Sequence, residues 1–353
     1  MPRLIQPLPD GPLDVIGDVH GELEALLALL HRLGVNVERR TAARPVVFVG
    51  DLVDRGPDSI GVVDVFARLA DAGLAYAVAG THELNLLADD RKEGNGWYWG
   101  DTTDAAQLNG KHVPFGSRPA DDADRARVRA RLAQLPLVLA RADLRVVHAA
   151  WDAAAAAALP AEGDLATLAA AWADRIATDL DARGVPARAA EERAAFAELR
   201  VEAVRPDRHL PAAAEEDAAH QLHNPVKLLT SGAEVEVRPG EHFFVGGKWR
   251  FVTRDRWWRR PVDIATVVGH YWRRRSAPIP GKRDLWGDVP TFGWSGGVFC
   301  VDYSVGRRYA ERAAGRDRNF DGGLGALRWP ERTLVFDDWP NEIPAYHQPD
   351  SDT

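Results

Sequence analysis

Three times within the first 83 residues, an apolar run of four or five residues gives way to glycine and then to acidic or imidazole side chains. Leu13-Asp14-Val15-Ile16 leads into Gly17-Asp18-Val19-His20-Gly21, and Pro45-Val46-Val47-Phe48-Val49 into Gly50-Asp51-Leu52-Val53-Asp54-Arg55-Gly56. The third run, Leu74-Ala75-Tyr76-Ala77-Val78, reaches Gly80-Thr81-His82-Glu83. Short apolar runs closed by glycine read as buried strands. Between them, Glu22 to Arg32 reads as a helix with Leu23, Leu26, Leu27 and Leu30 on one face, and Ser59 to Ala72 as a helix carrying Val62, Val63, Phe66 and Leu69. Alternating strands and helices imply right-handed βαβ units and a largely parallel sheet covered on both faces, with ligands bound at the carboxyl ends of the strands. Every polar motif falls at such an end. Two later runs, Leu144 to Val147 and Ile264 to Val268, add His148 and His270 to the series.

One Gly-Asp-x-His-Gly segment is equally an Asx-stabilised turn. Five ordered elements, all at strand ends, call for a common chemistry. Two divalent ions about 3.5–4 Å apart can hold a nucleophile and a phosphoryl group together, and they need one carboxylate shared between them. Arg55 offers a planar guanidinium that can donate two parallel hydrogen bonds to a phosphate.

In order and spacing these motifs resemble those of the calcineurin-like metallophosphoesterases. The branch most similar is that of the phosphoprotein phosphatases, which includes protein serine/threonine phosphatases and symmetrical diadenosine tetraphosphate hydrolases. The resemblance covers residues 12–150 and 262–305, and the Gly269-His270-Tyr271-Trp272-Arg273 and Lys248-Trp249-Arg250 segments look like those of bacterial members. It implies an α/β metallophosphoesterase β-sandwich flanked by helices, with an inserted cap. It also implies that Asp18, His20 and Asp51 hold one ion, that Asp51 bridges, and that His148, His270 and residue 81 hold the other. The family has Asn at that last position and this chain has Thr81, a shorter and poorer neutral donor. By the same resemblance His82 protonates the leaving-group oxygen, oriented by Asp54, while a metal-bridging hydroxide attacks phosphorus. Arg55 and Arg273 are the expected substrate-binding residues. Mixed Asp and His ligands suit manganese, the expected metal, or iron, zinc, nickel or cobalt, better than calcium.

The implied function is a metal-dependent phosphoric ester hydrolase acting on a phosphorylated small molecule, nucleotide or phosphoprotein. The alternatives are a dinucleoside polyphosphate hydrolase and a phosphate-binding protein whose turnover is impaired by Thr81. A formal charge of −8 over 353 residues speaks against general nucleic-acid binding. No apolar run approaches the roughly 20 residues that span a bilayer, and the first residues lack a signal-peptide layout, so the expectation is a cytoplasmic protein without membrane contact. Cys300 has no cysteine to pair with and lies in an apolar run.

Residues 10–340 read as one catalytic domain containing an insertion over 152–261, with a loosely ordered acidic tail over 341–353. The insertion reads as two or three helices over Ala153 to Leu199, then loops and short strands from Pro206 to Pro261. Leu324 to Leu327 and Thr333 to Phe336 read as a hairpin. The cation and aromatic runs Arg254 to Arg260 and Tyr271 to Arg275 either stack a nucleotide base or pack as structure, and the second reading is the commoner for such runs.

Overall fold

The computed structural model describes residues 1–108, 110–196, 199–245, 247–276 and 285–347. The chain folds as two compact units, one comprising Met1–Ala149, Ala161–Asp164 and Trp258–Thr353, the other Ala150–Pro160 and Leu165–Trp257.

The first unit begins with β1 (Ile5–Pro7), β2 (Leu13–Ile16), α1 (Leu23–Arg32), β3 (Val46–Phe48), α2 (Ser59–Ala70), β4 (Ala75–Ala77) and α3 (Thr81–Leu87). A hairpin of β5 (Ala105–Leu108) and β6 (Lys111–Pro114), α4 (Asp122–Leu132), β7 (Val138–Ala140) and β8 (Leu144–Val147) follow. The chain then builds the second unit from α5 (Ala153–Ala158), α6 (Leu165–Ala182), α7 (Val185–Ala194), α8 (Pro211–Leu222), α9 (Pro225–Ser231), β9 (Glu234–Glu236), β10 (Phe243–Val245), β11 (Lys248–Arg250) and β12 (Val252–Arg254). It returns through β13 (Ala265–Val268), β14 (Gly293–Trp294), β15 (Val298–Cys300), β16 (Asp302–Tyr303), α10 (Arg308–Ala313), β17 (Gly323–Trp329), β18 (Thr333–Phe336), β19 (Ile343–Pro344) and β20 (Tyr346–His347).

The sandwich implied by the resemblance is present as two sheets, and each is mixed rather than largely parallel. One runs β19-β18-β17-β2-β3-β4, with β16 also on β17, and the other β1-β7-β8-β13-β15. Within the first, β2, β3 and β4 are parallel, with Val15 beside Val47 and Val47 beside Tyr76. Within the second, β8, β13 and β15 are parallel, with Val146 beside Val267. The antiparallel character comes from the β17–β18 hairpin, which pairs along the outer edge of β2 with Leu327 opposite Val15, and from the tight β7–β8 return. Hairpins close antiparallel pairs that βαβ units cannot. Leu13, Val15, Val47 and Val49 share one buried cluster with Leu144, Val146, Val267 and Phe299, so the main core joins residues of both sheets. The result is an α/β fold with a two-sheet centre.

In α1 the buried residues are Ala25, Leu26, Leu29 and Leu30, while Leu27 is 42% exposed. The apolar face is therefore rotated from the one expected, because the small Ala25 fits against the sheet and Leu27 does not face it. The expected loose tail is structured as far as residue 347, with β19 on β18 and β20 on β14; residues 348–353 lie outside the described residues.

In the second unit, two helices stand where loops and strands were expected. Pro211 and Pro225 occupy the first turns of α8 and α9, where the missing N–H would be unsatisfied anyway, and Asn224 caps α9 by accepting from the Lys227 N–H. Prolines that read as loop signals are helix starts. Ala189, Ala212, Ala213 and Ala214 with Leu210, Phe251 and Val252 form a buried core in this unit. Among the described residues no helix is long and apolar enough to cross a membrane.

Candidate functional site

The turns after β2, β3 and β4 and those after β8 and β13 deliver the motif side chains to one place. The backbone there is held in conformations that side chains ordinarily avoid: His20, Asp51, Asp54, Arg55 and His270 all have φ between 48 and 78°. Such strain persists only where surrounding bonds over-determine it, and those bonds are dense here. The His20 N–H donates to the Asp51 carbonyl, the Arg55 N–H to the Gly94 carbonyl, and the Gly56 N–H to the Asp54 carbonyl.

Asp51 is the hub. Its Oδ2 lies 3.3 Å from Nε2 of His148 and 3.9 Å from Nε2 of both His20 and His82, and its Oδ1 accepts the His82 N–H at 2.9 Å. Among the described residues, two groups of side chains are close enough to hold a metal ion each, His20 with Asp51 and His82, and Asp51 with His148 and His270, and Asp51 belongs to both. Asp18 adjoins the first group, its Oδ2 3.9 Å from His20 Nε2 and accepting the His270 N–H at 3.0 Å. Its Oδ1 is buried without a hydrogen-bond partner. Gly269 lets β13 end so close to Asp18, since a Cβ there would stand 1.9 Å from Oδ1.

The donor atoms are arranged for a cation. Nδ1 of His148 lies 2.7 Å from the Val49 carbonyl and Nδ1 of His20 3.2 Å from that of Val53, so each Nδ1 carries a proton and each Nε2, when its ring is neutral, turns a lone pair toward Asp51. Nε2 of His148 has no hydrogen-bond partner, but His20 Nε2 is met by Nη1 of Arg55 at 3.0 Å. An ion seated on His20 therefore requires that guanidinium to turn away.

Burial alone would lower the His148 pKa, but Asp51 and Asp18 outweigh it and raise it to about 10. Burial pushes the Asp51 carboxyl up, yet His148, His82 and His20 together hold it well below the usual carboxylate range. Asp18 is driven well above that range by burial and by Asp302 and Asp51, and His20 is kept neutral by burial and Arg55. A pocket that recruits a proton onto one imidazole while two carboxylates repel each other is short of positive charge, which divalent cations would supply.

His82 and Asp54 form a buried dyad, Nδ1 to Oδ2 at 2.5 Å, with Nε2 directed toward Asp51. Burial raises the Asp54 pKa, an effect the His82 bond opposes.

Some partners left no readable signal. Trp97 Nε1 donates to Asp54 Oδ1 at 2.7 Å, from a loop more than forty residues downstream. Glu83 is buried and accepts the N–H groups of Asp51, Leu52 and Gly80, each at 2.8 Å, so it staples the β3 turn to the start of α3. Burial and Asp51 raise its pKa to about 7. Its place on the third residue of α3 is the signal for a capping role. Thr81 opens α3 between Gly80 and His82.

Arg273 is a correction. Expected to reach substrate, it is 2% exposed, and its guanidinium donates to the carbonyls of Gly293, Cys300, Pro290 and Thr291. Four backbone acceptors fix it inside the scaffold. Trp257 and Trp258 are likewise buried, and Trp258 stacks on Trp286 at 4.7 Å between centroids, the packed alternative for that run.

Two His and Asp groups sharing one buried carboxylate thus stand at the strand ends of a mixed α/β scaffold. The sequence model of the calcineurin-like phosphoesterase family matches residues 11–127. The bis(5'-nucleosyl)-tetraphosphatase PrpE [asymmetrical] of Oceanobacillus iheyensis is 47% identical over 74 residues, 20% of this chain and 30% of that protein. Its namesake from Bacillus velezensis is 34% identical over 143 residues, 38% of this chain and 55% of that protein. The chain thus spans about a third to about half the length of these curated relatives. A cold-active protein-tyrosine phosphatase of a psychrophilic Shewanella has a solved structure that aligns over 97% of this chain and 83% of its own, at 16% identity and a TM-score of 0.47.

Proposed function

We propose that this protein is a metal-dependent phosphoesterase that hydrolyses phosphate esters by direct attack of an activated water, with no covalent intermediate on the protein. The observation that carries the reading is the carboxylate of Asp51, shared between the two His and Asp groups. Asp18, His20 and Asp51 would hold one ion, and Asp51, His148, His270 and Thr81 the other, with manganese expected first. Bound there, the ions would acidify a water and screen the phosphate charge.

The protein's own groups do the rest. Arg55 leaves His20 Nε2 and donates to two phosphate oxygens. His82 gives the proton on Nε2 to the leaving oxygen, and Asp54, fixed by Trp97, holds the ring by Nδ1 and stabilises its protonated form. His82 adjoins the first group closely enough to approach an ion itself, and the short bond to Asp54 favours its acid role.

A second reading, hydrolysis of a dinucleoside polyphosphate, is favoured by the names of the relatives that match part of this chain. The test is turnover of p-nitrophenyl phosphate across a manganese titration, on this chain and on Thr81→Asn in parallel. Turnover that saturates at higher metal in the Thr81 form supports a working pair of ions with one weakened seat. A folded protein silent in both forms, with no metal bound, overturns the reading.

A further inference from the structure

The loop after β13 holds a large aromatic residue in a conformation it should avoid. Trp272 has φ 53, an outlier for a bulky side chain, and its N–H donates to Oδ2 of buried Asp302 at 2.6 Å. Oδ1 of the same carboxylate accepts the N–H of Ser304 at 2.8 Å, and Ser304 is also left-handed, with φ 63. Ser304 Oγ closes the circuit by donating to the Arg273 carbonyl at 2.8 Å. One buried carboxylate thus ties the 271–274 loop to the 302–307 turn. Strain of this kind persists only where the surrounding structure over-determines it, and it clusters at functional sites.

The geometry so fixed is a pair of guanidinium groups on one indole. Cζ of Arg55 lies 4.7 Å from the Trp272 ring centroid and Cζ of Arg307 lies 5.9 Å from it. The turn carrying Arg307 lies against the site itself, because a Cβ on Gly306 would stand 2.4 Å from Cδ2 of His20. A cavity of about 320 Å³ opens beside them, lined by Trp272, Arg274, Ser304 and Arg307 together with Glu311 and Asp321. Its two carboxylates are engaged. Glu311 accepts the N–H groups of Asp321 and Gly322 and pairs with Arg316, which also pairs with Asp321 at 2.9 Å. Among the described residues, neither Arg307 nor Arg274 has an ion-pair partner.

We propose that Arg307, held beside Arg55 on the Trp272 indole, is a second anion-binding residue that takes the phosphoryl group adjoining the scissile one, so that phosphoanhydrides are favoured over simple monoesters. This rests on the phosphoesterase reading and extends it to a substrate class. In the favoured reaction, water oxygen bonds to the phosphorus held by Arg55, and the bond from that phosphorus to the bridging oxygen breaks. The leaving phosphate keeps the electron pair, its oxygen takes the Nε2 proton of His82 and its remaining charge is met by Arg307, while the water's protons pass to His82 and to solvent. Trp272 contributes position, since its ring is within cation–π reach of both guanidinium groups.

Two measurements on the full-length chain test this. The first is calorimetric binding of methylenediphosphonate and of methylphosphonate, neither of which can turn over, at fixed free manganese. The bisphosphonate should bind the parent about tenfold more tightly than the monophosphonate, Arg307→Ala should erase most of that margin, and Arg307→Lys should restore part of it. Equal weakening of both ligands, or no change in either, overturns the subsite. The second is kcat/KM for inorganic tripolyphosphate against p-nitrophenyl phosphate, where Arg307→Ala should depress the first about tenfold more than the second. A ratio unchanged by the substitution also overturns it. Loss of all turnover in the parent, with the binding margin intact and sensitive to Arg307, counts against the phosphoesterase reading alone and supports the subsite.

Discussion

The two halves of the site are built differently, although both converge on Asp51. The half formed by Asp18, His20, Asp54 and His82 comes from turns within 65 residues of chain on β2, β3 and β4, one sheet with adjacent parallel strands. It is tied to itself: His82 to Asp54, Asp54 to Trp97, and Glu83 to the backbone of Asp51 and Leu52. The half formed by His148 and His270 belongs to the other sheet, and the second unit's residues separate its members in sequence. Its fixings include the Val49 carbonyl on His148, the His148 carbonyl accepting the Gly269 N–H, and the Asp18 carboxylate on the His270 N–H. The difference teaches that a site with one shared ligand can have one half braced locally and the other supplied by the sandwich. In the second half, metal affinity should be the easier to change.

The largest effect should come from breaking both halves together. Asp51→Asn should lower kcat by ~10³-fold or more and reduce the bound manganese from two ions towards none, read by elemental analysis of the dialysed protein. Retention of both ions would show that the halves do not depend on the shared carboxylate.

Breaking the braced half alone is next. His82→Gln should cost about 10²-fold in kcat for an alkyl phosphate but much less for p-nitrophenyl phosphate, whose leaving group needs no proton. An equal loss on both substrates would mean that His82 acts as a ligand. Asp54→Asn should follow the same pattern more weakly.

Sharpening the second half is a smaller change. Thr81→Asn should tighten one manganese by about tenfold and leave the other unaltered, read as two separate binding events by calorimetry. If both events tighten, position 81 does not distinguish the halves.

The smallest effect lies outside both halves and serves as a control on the scaffold. Asp14, in β2 four residues before Asp18, is fully buried, and burial raises its pKa to about 6 despite Arg328 and Arg44, each 3.8 Å away. A carboxyl raised in the folded state favours folding most when protonated. Its contribution is therefore complete below the ordinary value of 3.8 and is lost as pH rises through about 6. Asp14→Asn should flatten the stability profile over that window and gain about 1 kcal/mol at pH 7, the weaker attraction to Arg328 and Arg44 offsetting part of the relief. A pH profile parallel to that of the parent would show that Asp14 does not titrate there.

Most of the first half was readable because its chemistry is local. A strand, a glycine and a polar turn within about ten residues say where Asp18, His20, Asp51 and His82 lie on the backbone. Arg273 was misread for the same reason: three residues after His270 it is near in sequence, but the loop turns and buries it among carbonyls of residues 290–300. Trp97 and Asp302 were not readable, since each acts across thirty residues or more on a group that gives no sign of its partner.

The sequence by itself determined which residue types stand at the ends of which strands, because period, glycine placement and turn chemistry are properties of neighbouring residues. Only the tertiary structure decided how those strands pair, with antiparallel partners in both sheets, and the distances at which His20, His82, His148 and His270 stand around Asp51. It also decided that Arg273 faces inward while Arg307 stands beside Arg55. Strand pairing and burial are settled by competition among distant segments for the same edges and the same core, and no short stretch of sequence contains the outcome of that competition.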